Sequence, residues 1–250
     1  MVGSEHEFRS GRVDDVRSIN RYARIGGVLI LVSLAAGLFG EVYAPSLVKA
    51  SATGAAIAHG HLMLLRAGFA SYLIEAFCDV TLTLTLYVIF RPVSRNLALL
   101  AVFFRLVSTA VFASAMFFYL GALLLLDGAN GYLKTFSADQ LNAVTKFLFD
   151  VYGFGGSAPM FYGAAAIVVG YLIYRSGYLP KFLGGLWILG GMGQLANIFA
   201  LALAPGYAFF WELLPLLLAM LSLAVWLLVR GVDATRWSER NSKCAKPSIM

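Results

Sequence analysis

The chain has 250 residues, 60% of them hydrophobic and 13% charged, with a mean hydropathy of +0.79 and a formal net charge of +6. A soluble domain carries charges at about a quarter of its positions and alternates apolar with polar residues. Here the apolar residues form blocks long enough to cross ~30 Å of hydrocarbon at ~1.5 Å per residue, which excludes a soluble bundle. The basic residues cluster at the joints between blocks, so the positive charge marks membrane flanks, and no nucleic acid is expected as a partner.

In chain order, a polar N-terminal tail (residues 1–24) ends in Arg17, Arg21 and Arg24. The first apolar block, Ile25–Ala44, follows that basic stretch as a signal peptide would. Its long core, and Pro45 directly after any cleavage point, favour a retained first span. Pro45 to Gly60 is rich in small residues and too polar to span. Span two is expected at His61–Phe90 and span three at Leu97–Leu126. Asp127 to Asn142 is a polar connection in which Ser137-Ala138-Asp139-Gln140 has the pattern of a helix start. Span four is expected at Phe149–Tyr174, span five at Phe182–Ala204 and span six at Ala208–Val229. The tail, 230–250, is polar and expected to be disordered at its end. The fold class expected is all-α: a polytopic bundle of about six transmembrane helices occupying 25–229. Cys78 lies inside a span and Cys244 in the tail, so a disulfide between them is not expected.

Lys and Arg residues divide unevenly between the two sides. The tails and the joints after spans two and four hold 14 of them, against four (Lys49, Arg66, Lys134, Lys146) on the other side. By the positive-inside bias both termini are expected in the cytoplasm, and the protein in the inner (plasma) membrane as a multi-pass protein. Tyr87-Val88-Ile89-Phe90-Arg91 and Tyr171-Leu172-Ile173-Tyr174-Arg175 resemble each other at two inner turns, as interfacial aromatic and basic anchors do.

Several segments carry a family resemblance. These are Cys78-Asp79-Val80; Leu86-Tyr87; Arg91-Pro92-Val93-Ser94-Arg95-Asn96-Leu97-Ala98-Leu99-Leu100; Phe104-Arg105-Leu106; and Gly170-Tyr171-Leu172-Ile173-Tyr174-Arg175-Ser176-Gly177-Tyr178-Leu179-Pro180. Together they resemble an uncharacterised bacterial family of small membrane proteins, domain of unknown function 4386 (DUF4386), over roughly Arg21 to Val232. The resemblance implies a membrane bundle of this size and no particular activity. Members of that family often carry a histidine five residues before the Gly-Tyr-Leu segment; this chain has Ala165 there, so no role of that histidine carries over.

A charged side chain at the bilayer centre costs about 3 kcal/mol on insertion scales, so such groups are kept for pairing, for a wet or ligand-filled cavity, or for chemistry. The candidates are Glu41, Glu75, Asp79, Arg105, Asp150 and Glu212. Arg105 lies roughly 15 Å from the inner end of span three, and Asp79 roughly 18 Å from that of span two, so the two are expected to pair. A structural pair that only fixes packing is the bland reading. Glu75 is one turn from Asp79 on a face continued by Tyr72 and Gly68. Lacking a matched cation it would keep its proton, a donor in waiting. Glu41, Asp150, Glu212 and Asn197 fall toward the outer ends of their spans, and with Gln194 they suggest a polar-bottomed cavity. Interfacial exposure is the alternative for each acid alone. Tyr162 and Trp211 are aromatic candidates for the cavity wall, and Arg105 for its polar lining. His59 and His61 are two apart and point to different helix faces, a poor metal pair. With no phosphate loop, nucleophile elbow or Cys-x-x-Cys motif, neither cofactor nor metal is expected.

Three functions fit. The first is an intramembrane acid/base enzyme on a lipophilic, isoprenoid-like substrate, of terpene-cyclase type. The catalytic candidates are Glu75, Asp79, Glu212 and Asp150, and aromatic faces would stabilise a cation. Its 19 Phe, 12 Tyr and 4 Trp suit that chemistry but also any membrane bundle. The second is a small-molecule or proton-coupled transporter, which with six spans would work as a homodimer. The third is a non-catalytic protein binding lipids or a membrane partner.

Overall fold

The computed structural model describes residues 2–50, 54–127, 131–157, 160–204 and 213–245, and these form helices joined by short turns, with no strand among the described residues. In chain order they are α1 (Val2–Gly37), a π-helical turn (Leu38–Tyr43), α2 (Ala44–Ala50), α3 (Gly54–Phe90) and α4 (Arg95–Asp127). A 3₁₀ turn (Gly131–Thr135) follows, then α5 (Ala138–Ser157), α6 (Met160–Ser176), α7 (Lys181–Leu203), α8 (Leu213–Val229) and α9 (Ala234–Ala245).

Among the described residues, four helical stretches are long and apolar enough to cross a membrane: Ser18–Leu47, His61–Phe90, Arg95–Asp127 and Lys181–Leu203. The count reaches five if Leu214–Val229 and Ala234–Lys243, bent by 99°, are taken as one span. The protein is thus an all-α membrane protein. Of the stretch expected as span four (Phe149–Tyr174), with an interruption expected at Gly153, Gly155, Gly156 and Pro159, residues 149–157 belong to α5 and 160–174 to α6, while 158–159 lie outside the described residues. α5 carries Asp139, Lys146 and Asp150 and is not among the apolar stretches. α6 has 17 residues, about 26 Å of helix and the lower limit for a span. The segment after Ala44, expected to be a non-spanning joint, begins as α2. Residues 208–212, expected as the start of span six, and the last residues of the tail lie outside the described residues.

Several local signals are realised as hydrogen bonds. The Gln140 N–H donates to Ser137 Oγ (3.2 Å) and the Ser137 N–H donates to Gln140 Oε1 (2.9 Å), a reciprocal capping box that starts α5. Pro92 ends α3, and the Leu97 N–H donates to Ser94 Oγ at 3.4 Å as α4 begins. Gly177 and Gly231, with φ of 73° and 68°, supply the left-handed residue that stops α6 and α8.

The chain divides into two compact units. The first comprises Met1–Leu31, Val80–Leu106 and Met160–Met250. In it α6 and α7 touch backbone to backbone. A Cβ on Gly170 would lie 2.7 Å from the Gly184 carbonyl oxygen, and one on Gly191 2.6 Å from that of Gly163. Small residues allow this approach where lipid gives helices no hydrophobic drive to associate. The polar tail folds back as α9. Trp237 is buried and its Nε1–H donates to the Ile89 carbonyl (3.0 Å), which also accepts the Tyr178 hydroxyl (2.7 Å). Arg240 Nη1 donates to the carbonyls of Arg175 and Ser176, and Arg236 Nη1 to that of Gly177. These bonds satisfy carbonyls that the ends of α3 and α6 leave without intrahelical donors. Burial pushes the Tyr178 hydroxyl well above its ordinary pKa, with Arg240 opposing, so it stays a neutral donor.

The second unit comprises Val32–Asp79 and Val107–Pro159. Its core is built from Ala44, Leu65, Tyr72, Ala115, Met116, Tyr119, Ala122, Leu123, Phe149 and Tyr152.

Candidate functional site: a carboxyl pair with buried tyrosines

Within the second unit the two stretches 33–44 and 68–79 run antiparallel with a small-residue stripe facing a polar one. Ser33 Oγ donates to Asp79 Oδ1 at 3.1 Å, and Ser71 Oγ donates to the Ala36 carbonyl at 2.8 Å. A Cβ on Gly37 would lie 2.8 Å from Glu75 Oε1, and one on Gly40 2.8 Å from the Gly68 carbonyl oxygen. The spacing Ser33, Gly37, Gly40, Ala44 returns small residues to one helix face every three or four positions, clearing room for Asp79, Glu75, Tyr72 and Gly68.

Glu41 closes the site. It lies four residues after Gly37, in the π-helical turn, within electrostatic reach of Glu75 and Asp79. The turn has a local cause. Pro45 has no N–H to donate to the Glu41 carbonyl and its ring would crowd that oxygen, so the helix widens just before it. The Ala44 N–H accordingly reaches the Phe39 carbonyl, five residues back. π-turns within α-helices recur at functional sites.

Tyrosines complete the arrangement. Tyr72 is 1% exposed and within electrostatic reach of Glu75, Glu41 and Asp79. Tyr152, on α5, is 3% exposed and within reach of Glu41 and Glu75. Neither hydroxyl has a hydrogen-bond partner among the described residues. A buried hydroxyl without a partner costs about 1–3 kcal/mol, so two aimed at one carboxyl cluster mark a place for a polar or protonated guest. Aromatic rings back them: Tyr72 and Phe112 meet edge-on at 4.6 Å, and Tyr119 meets Tyr152 at 5.0 Å and Phe149 at 5.1 Å. The Tyr119 hydroxyl is engaged, donating to the Leu65 carbonyl at 2.9 Å. The three acids are themselves half-buried, and their neighbours Leu38, Val42, Ile74 and Phe77 are exposed apolar residues. Chemically, two neighbouring carboxyls can give up a proton or take one back.

Of the residues singled out from the sequence, Glu41, Tyr72, Glu75 and Asp79 come together here. Asp150 does not join them; it is exposed on α5, two residues and so roughly 200° around the helix from the buried Tyr152. Glu212 and Trp211 lie outside the described residues. Arg105, Tyr162 and Asn197 belong to the first unit. Arg105 is 3% exposed, donates through Nε to Thr83 Oγ1 (3.3 Å) and lies 4.9 Å over the Tyr162 ring. The Tyr162 hydroxyl donates to Met220 Sδ at 3.3 Å, and Asn197 is buried in α7. Among the described residues no group of three or more His, Cys, Asp and Glu is arranged to hold a metal.

Sequence reasoning missed Tyr152, Gly37 and Ser33. Two signals were present: the four-residue spacing from Glu41 to Pro45, and the Ser33-Gly37-Gly40-Ala44 stripe.

An all-helical membrane bundle with a carboxyl–tyrosine cluster is the class these features define. More particularly, the chain belongs to the DUF4386 family, a domain of unknown function whose sequence profile matches residues 25–231. It is similar to a protein of Archaeoglobus fulgidus described as uncharacterised, with 29% identity over 158 residues, 61% of this chain and 76% of that protein. No solved structure matches it.

Proposed function

We propose that the protein is an intramembrane acid/base enzyme acting on a lipophilic, isoprenoid-like substrate, with the Glu41–Glu75 pair as its proton donor and acceptor. The observation that carries this reading is the placing of the Glu75 carboxyl against Gly37, one turn from Glu41, beside the buried Tyr72 and Tyr152 hydroxyls. The half-buried acids, ringed by exposed apolar side chains, suit a substrate dissolved in the bilayer that enters sideways. The pair gives a proton to an alkene or epoxide. The faces of Tyr72, Phe112 and Tyr119 stabilise the cation that results. Loss of a proton to Asp79 or back to the pair ends the reaction as an isomerisation or cyclisation, which needs no oxidant or reductant. Tyr72 and Tyr152 orient the acids and the guest.

The protein sits in the inner (plasma) membrane as a multi-pass protein with both termini cytoplasmic, in keeping with 14 basic residues on one side against four on the other. A second reading, a proton-coupled carrier working as a homodimer, is favoured by the π-turn beside the acids, where a helix can change register.

The test compares lipophilic extracts, by mass spectrometry, from native-host cells carrying wild type, Glu75→Gln or Glu41→Gln at equal protein levels. Loss of one compound and accumulation of an isomeric precursor in both variants is expected. Identical extracts would reject the enzyme. Proton uptake by proteoliposomes carrying an internal pH dye, abolished in the same variants, would then establish the carrier.

A further inference from the structure

A second feature of the second unit is independent of the acid pair. Between α3 and α4 lies a groove of about 220 Å³ lined by Phe69, Leu120, Leu123 and Leu124, with Arg66 and Asp127 at its polar end. Arg66 Nη2 donates to Asp127 Oδ1 at 2.7 Å, and the two side chains are 48% and 36% exposed. The volume lies below the ~300–1,000 Å³ of a whole-molecule ligand pocket, so the groove takes a length of acyl chain rather than an entire lipophilic substrate. Asp127 is the last residue of α4, and Arg66 lies near the start of the apolar stretch His61–Phe90. The charged end of the groove is therefore near one end of both spans, where a lipid headgroup sits.

The charges choose the headgroup. A guanidinium has five N–H donors and a carboxylate about four acceptor positions, and the 2.7 Å contact uses one of each. What remains offers donors to an anion and acceptors to an N–H cation side by side. We infer that this groove binds a phospholipid of the phosphoethanolamine class. Its phosphate lies on Arg66, its primary ammonium on Asp127 and its upper acyl chain on Phe69, Leu120 and Leu124. Choline lacks an N–H to give to Asp127, and a glycerol headgroup lacks the positive charge.

An exposed ion pair contributes about 0–1 kcal/mol to stability, so variants at either residue fold. The test is native mass spectrometry of the full chain, purified in detergent and offered equal amounts of phosphatidylethanolamine, phosphatidylcholine and phosphatidylglycerol with identical acyl chains. Wild type is expected to retain the ethanolamine lipid about tenfold over the others, the worth of one charge-assisted contact. Arg66→Gln is expected to lose retention of all three, and Asp127→Asn to level the ethanolamine lipid with the rest. Equal retention of the three headgroups by wild type, or unchanged ethanolamine-lipid retention in Arg66→Gln, would overturn the assignment.

Discussion

At the scale of single residues, the site depends on what is absent as much as on what is present. The Glu75 carboxyl occupies space that any side chain at position 37 would contest, because a Cβ there would lie 2.8 Å from Oε1 and 3.1 Å from Oε2. Gly37→Ala is expected to push that carboxyl away from Glu41 and to cost about 1–3 kcal/mol of stability, as overpacking does. It should reproduce the loss of product seen with Glu75→Gln while lowering Tm in detergent, whereas Glu75→Gln should leave Tm near wild type. A Gly37→Ala protein with normal product and normal Tm would show that the acid has room to spare. Gly40→Ala is the harsher change, since its Cβ would meet a backbone oxygen, which cannot swing aside as a carboxyl can.

The elements are joined by bonds to helix ends. The Ile89 carbonyl, in the last turn of α3, accepts from both Tyr178 and Trp237, from the α6–α7 turn and from α9. Either donor alone keeps that buried acceptor satisfied. Tyr178→Phe and Trp237→Phe are each expected to cost about 1 kcal/mol, and the double variant more than the sum by about another 1 kcal/mol, because only then is the carbonyl orphaned. Thermal unfolding of the four proteins in one detergent measures this; strict additivity would mean that water or another donor replaces both. The same bonds explain why 234–245 is helical although its composition reads as a solvated tail. Ala234 and Trp237 are buried against the first unit, and Arg236 and Arg240 cap the end of α6.

For the whole molecule, the orientation expected from charge has a direct check. A reporter enzyme active only outside the cytoplasm should be silent when fused after Met250 and active when fused after Thr135. The reverse pattern would invert the topology and with it the side on which the Arg66–Asp127 groove opens.

How much of this was legible in the sequence follows from what kind of interaction decided each part. Membrane class and helical fold are read directly, since ~30 Å of hydrocarbon demands ~20 apolar residues in a backbone that satisfies its own hydrogen bonds. The capping box at Ser137 and Gln140 is equally local. So was the choice of Glu41, Tyr72, Glu75 and Asp79, because an ionisable or polar group at membrane depth stands out against its neighbours. The tertiary structure alone decided that Glu41 comes within reach of Glu75 and that Tyr152 rather than Asp150 lies near them. Those outcomes depend on helix register, on which face packs inward and on how closely two backbones approach. Small residues such as Gly37 and Gly40 set the closeness of that approach, across an interface that no single segment contains.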